Sequence, residues 1–255
     1  MQTDLSRSLS VCADGHPVSG FRRARLTGRD ALGLYPMPFT LRLWNPADSA
    51  YNLISAAKEI SVSSGDSVLA SGHVSDVFRR TVPEGTVAEI VFAAGLSLWE
   101  TPVSLGVEAG ASVSETIRRI LAASGTGVPL LSFPGPDPVR TRPQAFFGRA
   151  AECVEEALSA AGARCCLAPS GLCVIPAAGM PVSMELSDRD LYEAPIPVGR
   201  DLLLLRTRVT GWPLGKAVSV SWKGKSVRGL VVERGVDADN TEGNWQCELL
   251  IEVET

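Results

Sequence analysis

A mainly β chain with an α+β insert is the fold class the sequence predicts, in the form of two small β-barrels or split barrels flanking a compact α+β module. Three observations lead there. Two distant stretches, Ile60-Ser-Val-Ser-Ser-Gly-Asp-Ser-Val-Leu-Ala-Ser-Gly-His-Val74 and Val218-Ser-Val-Ser-Trp-Lys-Gly-Lys-Ser-Val-Arg-Gly-Leu-Val-Val232, share one pattern: a strand, a tight polar turn, and a second strand interrupted by Gly72 or Gly229. The residues around both stretches alternate in polarity with period two. Between them lie two helical patterns. An isolated hairpin is marginal in water, so each needs a larger sheet behind it. The expected units are residues 1–103, residues 104–180, and residues 181–255 as a pseudo-equivalent of the first.

From Leu9 to Val82 the chain reads as strands. Val11 to Val18 turns at Asp14-Gly15, and Phe21 to Leu26 alternates around Arg22, Arg23 and Arg25. Phe39, Leu41 and Leu43 share one face of a strand that Asn45-Pro46 ends. A short helical turn over Asp48 to Ala57 leads to the first hairpin, and Ala88 to Ala93 follows as a strand, closing a β unit near Pro102.

The middle third changes period. Ser112-Val-Ser-Glu115 is a capping box, with Val113, Ile117, Ile120 and Leu121 on one helical face and Gly125 placed as the stop. After a short strand, Val128 to Phe133, the prolines from Pro134 to Pro143 require an extended loop. A second helix, Arg149 to Ala161, offers Ala150, Val154, Ala157 and Leu158 to a core. It precedes a hairpin whose strands, Arg164 to Leu167 and Leu172 to Ile175, are turned by Pro169-Ser-Gly171. Beyond Met180, Pro181, Pro195 and Pro197 bound a linker. Strands then run over Leu202 to Thr210, the second hairpin, Leu230 to Val236, and Trp245 to Val253.

Composition narrows the function. The chain has 255 residues, 45% hydrophobic and 20% charged, which are the values of an ordinary globular protein and point away from disorder. A formal charge of −4 gives no support to a sequence-independent grip on nucleic acid or to an anionic membrane surface. The last 23 residues carry seven acids against Arg234 alone, a local charge of −6. The N-terminus does not read as a secretory signal, and the longest apolar run, Ile90 to Trp99, is too short to cross a bilayer. A soluble protein made in a cytoplasm is expected. The six cysteines lack Cys-x-x-Cys spacing and neighbouring histidines, so reduced core thiols are expected over zinc ligands or disulfides.

Catalytic signatures are sparse. His16 and His73 are the only histidines, and no Gly-x-Ser-x-Gly elbow, Gly-x-Gly-x-x-Gly or phosphate loop accompanies them. Asp237, Asp239 and Glu242 echo a calcium loop, but Thr241 and Glu242 stand where an oxygen ligand and a glycine belong, so a solvated turn is the better account. Trp44, Trp99, Trp212, Trp222 and Trp245 are read as packing residues before a sugar platform. No catalytic, cofactor-binding or metal-binding residue is assigned, and the chain is expected not to be an enzyme.

A family resemblance enters at Thr207-Arg-Val-Thr-Gly-Trp-Pro-Leu-Gly215, Gly229-Leu-Val-Val-Glu-Arg-Gly-Val-Asp237 and Asn240-Thr-Glu-Gly-Asn-Trp-Gln-Cys-Glu-Leu249. With Ser71-Gly-His-Val-Ser-Asp-Val77, Ala150 to Leu158 and Gly171 to Val174, the chain resembles baseplate hub proteins of tailed bacteriophages, of the late-control protein D or Mu hub type. The resemblance runs over most of the chain as an order of features. It implies tube-like barrels and a homotrimer whose six similar units form a pseudo-sixfold ring, joining the sixfold tail tube to a threefold central spike or tail tip. Implied partners are the tail tube protein, the spike or tip protein, other baseplate proteins and the tape measure protein. The genome would pass through the lumen without specific binding and no membrane would be entered. The implied location is the virion tail baseplate, after synthesis in a host bacterial cytoplasm. Acidic residues are expected to face that lumen, and the two hairpins to hold equivalent ring positions. Two rival classes stay open: a virion-associated peptidoglycan hydrolase using Glu152, Glu155 or Glu156, and a carbohydrate-binding tail module using the tryptophans.

Overall fold

The computed structural model describes residues 7–176, 180–208, 211 and 213–254. At the N-terminal end β1 (Ser10–Ala13) and β2 (His16–Val18) form a hairpin on Asp14-Gly15, both at positive φ. β3 (Arg23–Ala31) and β4 (Pro38–Trp44) follow, then α1 (Asp48–Ala56), which buries Ala50 and Ile54. The first predicted hairpin is β5 (Glu59–Ser64) and β6 (Ser67–Val82), with β6 running past Val74 to pair with β7 (Gly85–Ala93).

The module begins with α2 (Leu96–Glu100) and β8 (Pro102–Val107), neither expected from sequence. It continues through α3 (Val113–Ser124), β9 (Leu130–Ser132), β10 (Gln144–Arg149), α4 (Ala150–Ser159) and the hairpin β11 (Arg164–Ala168) and β12 (Gly171–Ile175). The boundary expected between residues 103 and 104 falls inside β8, which pairs with β10 and shares the module's core of Leu98, Val103, Ile117, Phe146, Val154 and Leu158. Ser112 caps α3 by accepting from the Glu115 amide, and Gly125 ends it at φ 63°. The glutamate of the expected box does not reach back; its carboxylate takes Arg119 one turn on. Asp137, from the proline-rich loop, accepts instead from the Ser114 amide and hydroxyl.

The C-terminal region contains β13 (Val182–Leu186), β14 (Ile196–Pro197), β15 (Leu202–Arg208), β16 (Ala217–Trp222), β17 (Lys225–Asp239) and β18 (Trp245–Val253). The end expected for β15 at Thr210 lies outside the described residues. The two β regions are not separate sheets. They join in one 13-stranded sheet of order β14-β15-β18-β17-β3-β4-β7-β6-β5-β1-β2, with β16 on β17 and β13 on β16. The join is antiparallel pairing of β3 with β17, from Ala31 opposite Glu233 to Arg25 opposite Asp239. One core serves both halves, with Leu26, Leu41, Ile90 and Phe92 packed in the same cluster as Leu205, Val236, Leu249 and Ile251. Ala24 and Leu26 face that core, while Arg23, Arg25 and Arg29 of the same strand meet the acids of β17, so both faces of β3 favour this neighbour.

Within the sheet the order β4-β7-β6-β5 recurs as β15-β18-β17-β16, every pair antiparallel. The correspondence holds residue by residue. Leu41 opposes Ile90 where Leu205 opposes Leu249, and Arg42 opposes Glu89 where Arg206 opposes Glu248. Both of these cross-strand pairs are ion pairs, at 2.9 and 3.1 Å. Gly72 and Gly229 match as well. A Cβ there would lie 2.3 Å from Ala93 backbone or 2.4 Å from the Glu252 carbonyl oxygen, so only glycine lets the end of the next strand pass. Three residues on, the register shifts by one in each ladder, at Ser75 and at Val232.

Candidate assembly surface

The residues weighed for chemistry do not gather into one site. His73 lies across the β5–β6 ladder from Glu59, Nδ1 to Oε1 3.6 Å, beside an open groove of about 450 Å³. Glu152 accepts from the Arg149 amide at its own helix start, Glu155 accepts from the Leu34 amide at 2.8 Å, and Glu156 accepts from Gln144 at 2.6 Å. Each of the three carboxylates therefore holds a different structural neighbour. Trp44 lies under Arg23, Trp99 contacts Tyr35 and Arg149, and Trp222 and Trp245 pack on the main core; Trp212 lies outside the described residues. Asp237 is held by Arg25 and Asn244, and buried Asp239 by Arg23 and the amides of Thr241 and Glu242. Among the described residues no cluster of three or more His, Cys, Asp or Glu is placed for a metal ion, and no helix is long and apolar enough to cross a membrane.

The acidic C-terminal end is largely compensated. Glu233, Asp237, Asp239, Glu248 and Glu252 pair with Arg29, Arg25, Arg23, Arg206 and Arg164. Most of the local charge that suggested an acid-lined channel is thus offset across strands, an outcome invisible in a count along the chain. Burial pushes the Asp239 carboxyl up, but the Arg23 guanidinium and two backbone amides outweigh it and hold it below the ordinary carboxylate value.

What the fold leaves available is backbone at sheet edges. β5 leaves β6 at His73, and from Asp76 to Val82 β6 has β7 on one side and no described strand on the other. Among the described strands β14 likewise pairs with β15 alone. Large apolar side chains stand out at both places: Phe78 is 42% exposed on β6, Ile196 39% on β14, and Val198, the residue after β14, 52%. Open edges of this kind are templates for strand pairing.

Behind the β3–β17 junction sits a buried ion pair. Arg234 is fully buried; its Nε and Nη2 donate to Asp30 at 3.1 and 2.9 Å, Nη2 to the Leu69 carbonyl at 2.6 Å, and Nη1 to the Gly211 carbonyl at 3.3 Å. One side chain on β17 thereby ties β3, the β5–β6 hairpin and the segment before β16. Burial pushes Asp30 upward against the pull of Arg234.

This architecture matches solved structures of tail proteins. The tail protein from Neisseria meningitidis MC58 has a TM-score of 0.70 at 12% identity, with 96% of each chain covered. The chain shares their fold. The 43 kDa tail protein of prophage MuSo2 from Shewanella oneidensis gives 0.67 at 10% identity, again with 96% of each chain covered. The E. coli c3393 protein, described as a component of the type VI secretion system with structural similarity to T4 bacteriophage tail proteins gp27 and gp5, gives 0.68 at 13% identity over 96% of this chain and 77% of that one. No protein-family model and no curated protein matches the sequence.

Proposed function

We propose that this chain is a structural protein of a phage-type tail, acting at the baseplate hub. Three copies form a ring in which two similar β units per copy present six similar positions, joining a sixfold tail tube to a threefold spike or tail tip. The observation that carries the reading is the repeated strand order with matched register, ion pair, glycine and bulge, because a chain with two equivalent units is what a threefold ring needs to imitate sixfold symmetry. The fold shared with tail proteins over nearly the whole chain supports it. The partners are the tail tube protein, the spike or tip protein, other baseplate proteins and the tape measure protein, in a virion tail. Its role is mechanical, without enzymatic activity. Cross-strand pairing of charges favours passage of the genome without a specific grip.

Native mass measurement of the purified protein tests the reading. A trimer, or assembly on mixing with a tail tube protein, is expected. A protein that stays monomeric at micromolar concentration with a tube protein present, or that clears cell-wall suspensions, counts against it.

A further inference from the structure

The repeat inside the chain specifies how one copy meets the next. Along β17, residues past the bulge at Val232 are flanked by β18 on one side and by β3 on the other. The matching stretch of β6, past the bulge at Ser75, is flanked by β7, and its other side carries no described strand. The strand matching β3 in the second unit is β14, since β3 pairs with β4 as β14 pairs with β15: Gly28 opposes Phe39 where Pro197 opposes Leu203, and Thr27 opposes Thr40 where Ile196 opposes Leu204. No described strand covers the outer edge of β14 either. Each of the two β units therefore holds one half of a junction that the middle of the sheet already makes.

We infer that β14 of one copy pairs antiparallel with the outer half of β6 in the next copy, reproducing between chains the β3–β17 junction within the chain. The register follows from the repeat. Gly235 opposes Arg29 within the chain, and their counterparts are Phe78 and Val198; Asp237 opposes Thr27, and their counterparts are Arg80 and Ile196. The contact therefore buries Phe78 against Val198, two apolar side chains otherwise left in water. It is heterologous and head-to-tail, so it makes a ring only if the rotation closes. Pro197 lacks an amide hydrogen and β14 is short, so this junction carries fewer ladder bonds than β3–β17 and depends more on its apolar side chains. The inference rests on the ring reading above and names the surface that would build it.

Directly opposed residues of an antiparallel pair have Cα atoms about 4.5–5.5 Å apart, within disulfide reach. The double variant Phe78→Cys with Val198→Cys, oxidised at low concentration, should give a covalent species of three chains that reduction returns to monomers. Neither single variant should do so. A second pair, Arg80→Cys with Ile196→Cys, should behave alike. Phe78→Asp, whose side chain is outside the core of a single copy, should keep the native circular dichroism and lose trimer mass, with association weakened about tenfold or more. A trimer by native mass that neither cysteine pair cross-links, that Phe78→Cys alone cross-links, or that Phe78→Asp leaves intact overturns the strand assignment and leaves the ring standing. A wild-type protein that is monomeric throughout overturns both.

Discussion

Replacing Arg234 with methionine removes a buried cation and leaves Asp30 behind it. Arg234 is fully buried and Asp30 nearly so, and the guanidinium also serves the carbonyls of Leu69 and Gly211. Breaking a buried pair by removing one partner destabilises by about 3–5 kcal/mol, because the stranded charge keeps its desolvation penalty. Two unpaired carbonyls add to this without simple additivity, each worth ~1–3 kcal/mol where water cannot reach. R234M should therefore lower the urea midpoint by the equivalent of about 4 kcal/mol at pH 7, with little change in slope. Adding Asp30→Leu should recover a large part, since an apolar pair of similar volume carries no stranded charge. The pH dependence follows from the direction of the Asp30 shift. Burial already pushes that carboxyl up, and losing Arg234 pushes it further. A folded-state value above the unfolded one confers stability that is full below the unfolded value and lost as pH rises through the folded one. The R234M penalty should thus be smaller near pH 4 than at pH 8. A penalty below about 1 kcal/mol, or one the same with and without Asp30→Leu, would refute the role assigned to the pair.

Further outcomes are expected elsewhere. Gly72→Ala and Gly229→Ala should each destabilise by ~2 kcal/mol or more, since the added methyl meets backbone at 2.3–2.4 Å; Gly106→Ala, with nothing within 4 Å, should stay within about 0.5 kcal/mol by thermal melting. Asp14 is lowered by the amides of Glu59 and Lys58; Asp137 and Asp239 are lowered although burial opposes it, the first by Ser114 and the second by Arg23. Depressed carboxylates stabilise above their unfolded value and lose that contribution as pH falls through the folded one, so acid titration should show stability dropping below about pH 4, less steeply in Asp137→Asn. Cys173 faces Cys166 across the β11–β12 ladder, and the hydrogen bond from that thiol brings it down to about 7 while burial pushes Cys165 up to about 12. Mass-resolved alkylation at pH 7.5 should therefore label Cys173 well before Cys165.

Short-range features were the legible ones. The two hairpins, the Ser112 cap, the left-handed Gly125 and the loop from Pro134 each follow from residues within a few positions of one another, and each stands where expected. Pairing across the chain was not legible. β3 and β17 are about 200 residues apart, and their only trace in sequence is the complementarity of Arg23, Arg25 and Arg29 with Asp239, Asp237 and Glu233. α2 leaves no sequence signal, because its five residues show no period and it starts at left-handed Gly95. The strongest sign of the repeat is split between strands far apart in the chain. Leu41-Arg-Leu with Ala88-Glu-Ile, and Leu205-Arg-Thr with Cys247-Glu-Leu, place one arginine and one glutamate at matched positions of paired strands. The open edges bear no chemical signature, so only the strand order exposes them.

The β3–β17 ladder also sets a schedule for biosynthesis. β3 leaves the ribosome early, yet the strand that covers it is about 200 residues behind. At an elongation rate of some 5–20 residues per second that is a wait of roughly 10–40 s, with an apolar and arginine-bearing edge uncovered. The nascent chain is therefore exposed to wrong partners for most of its translation, and a chaperone that shields residues 23–31 until the final strands emerge would raise the yield of folded protein.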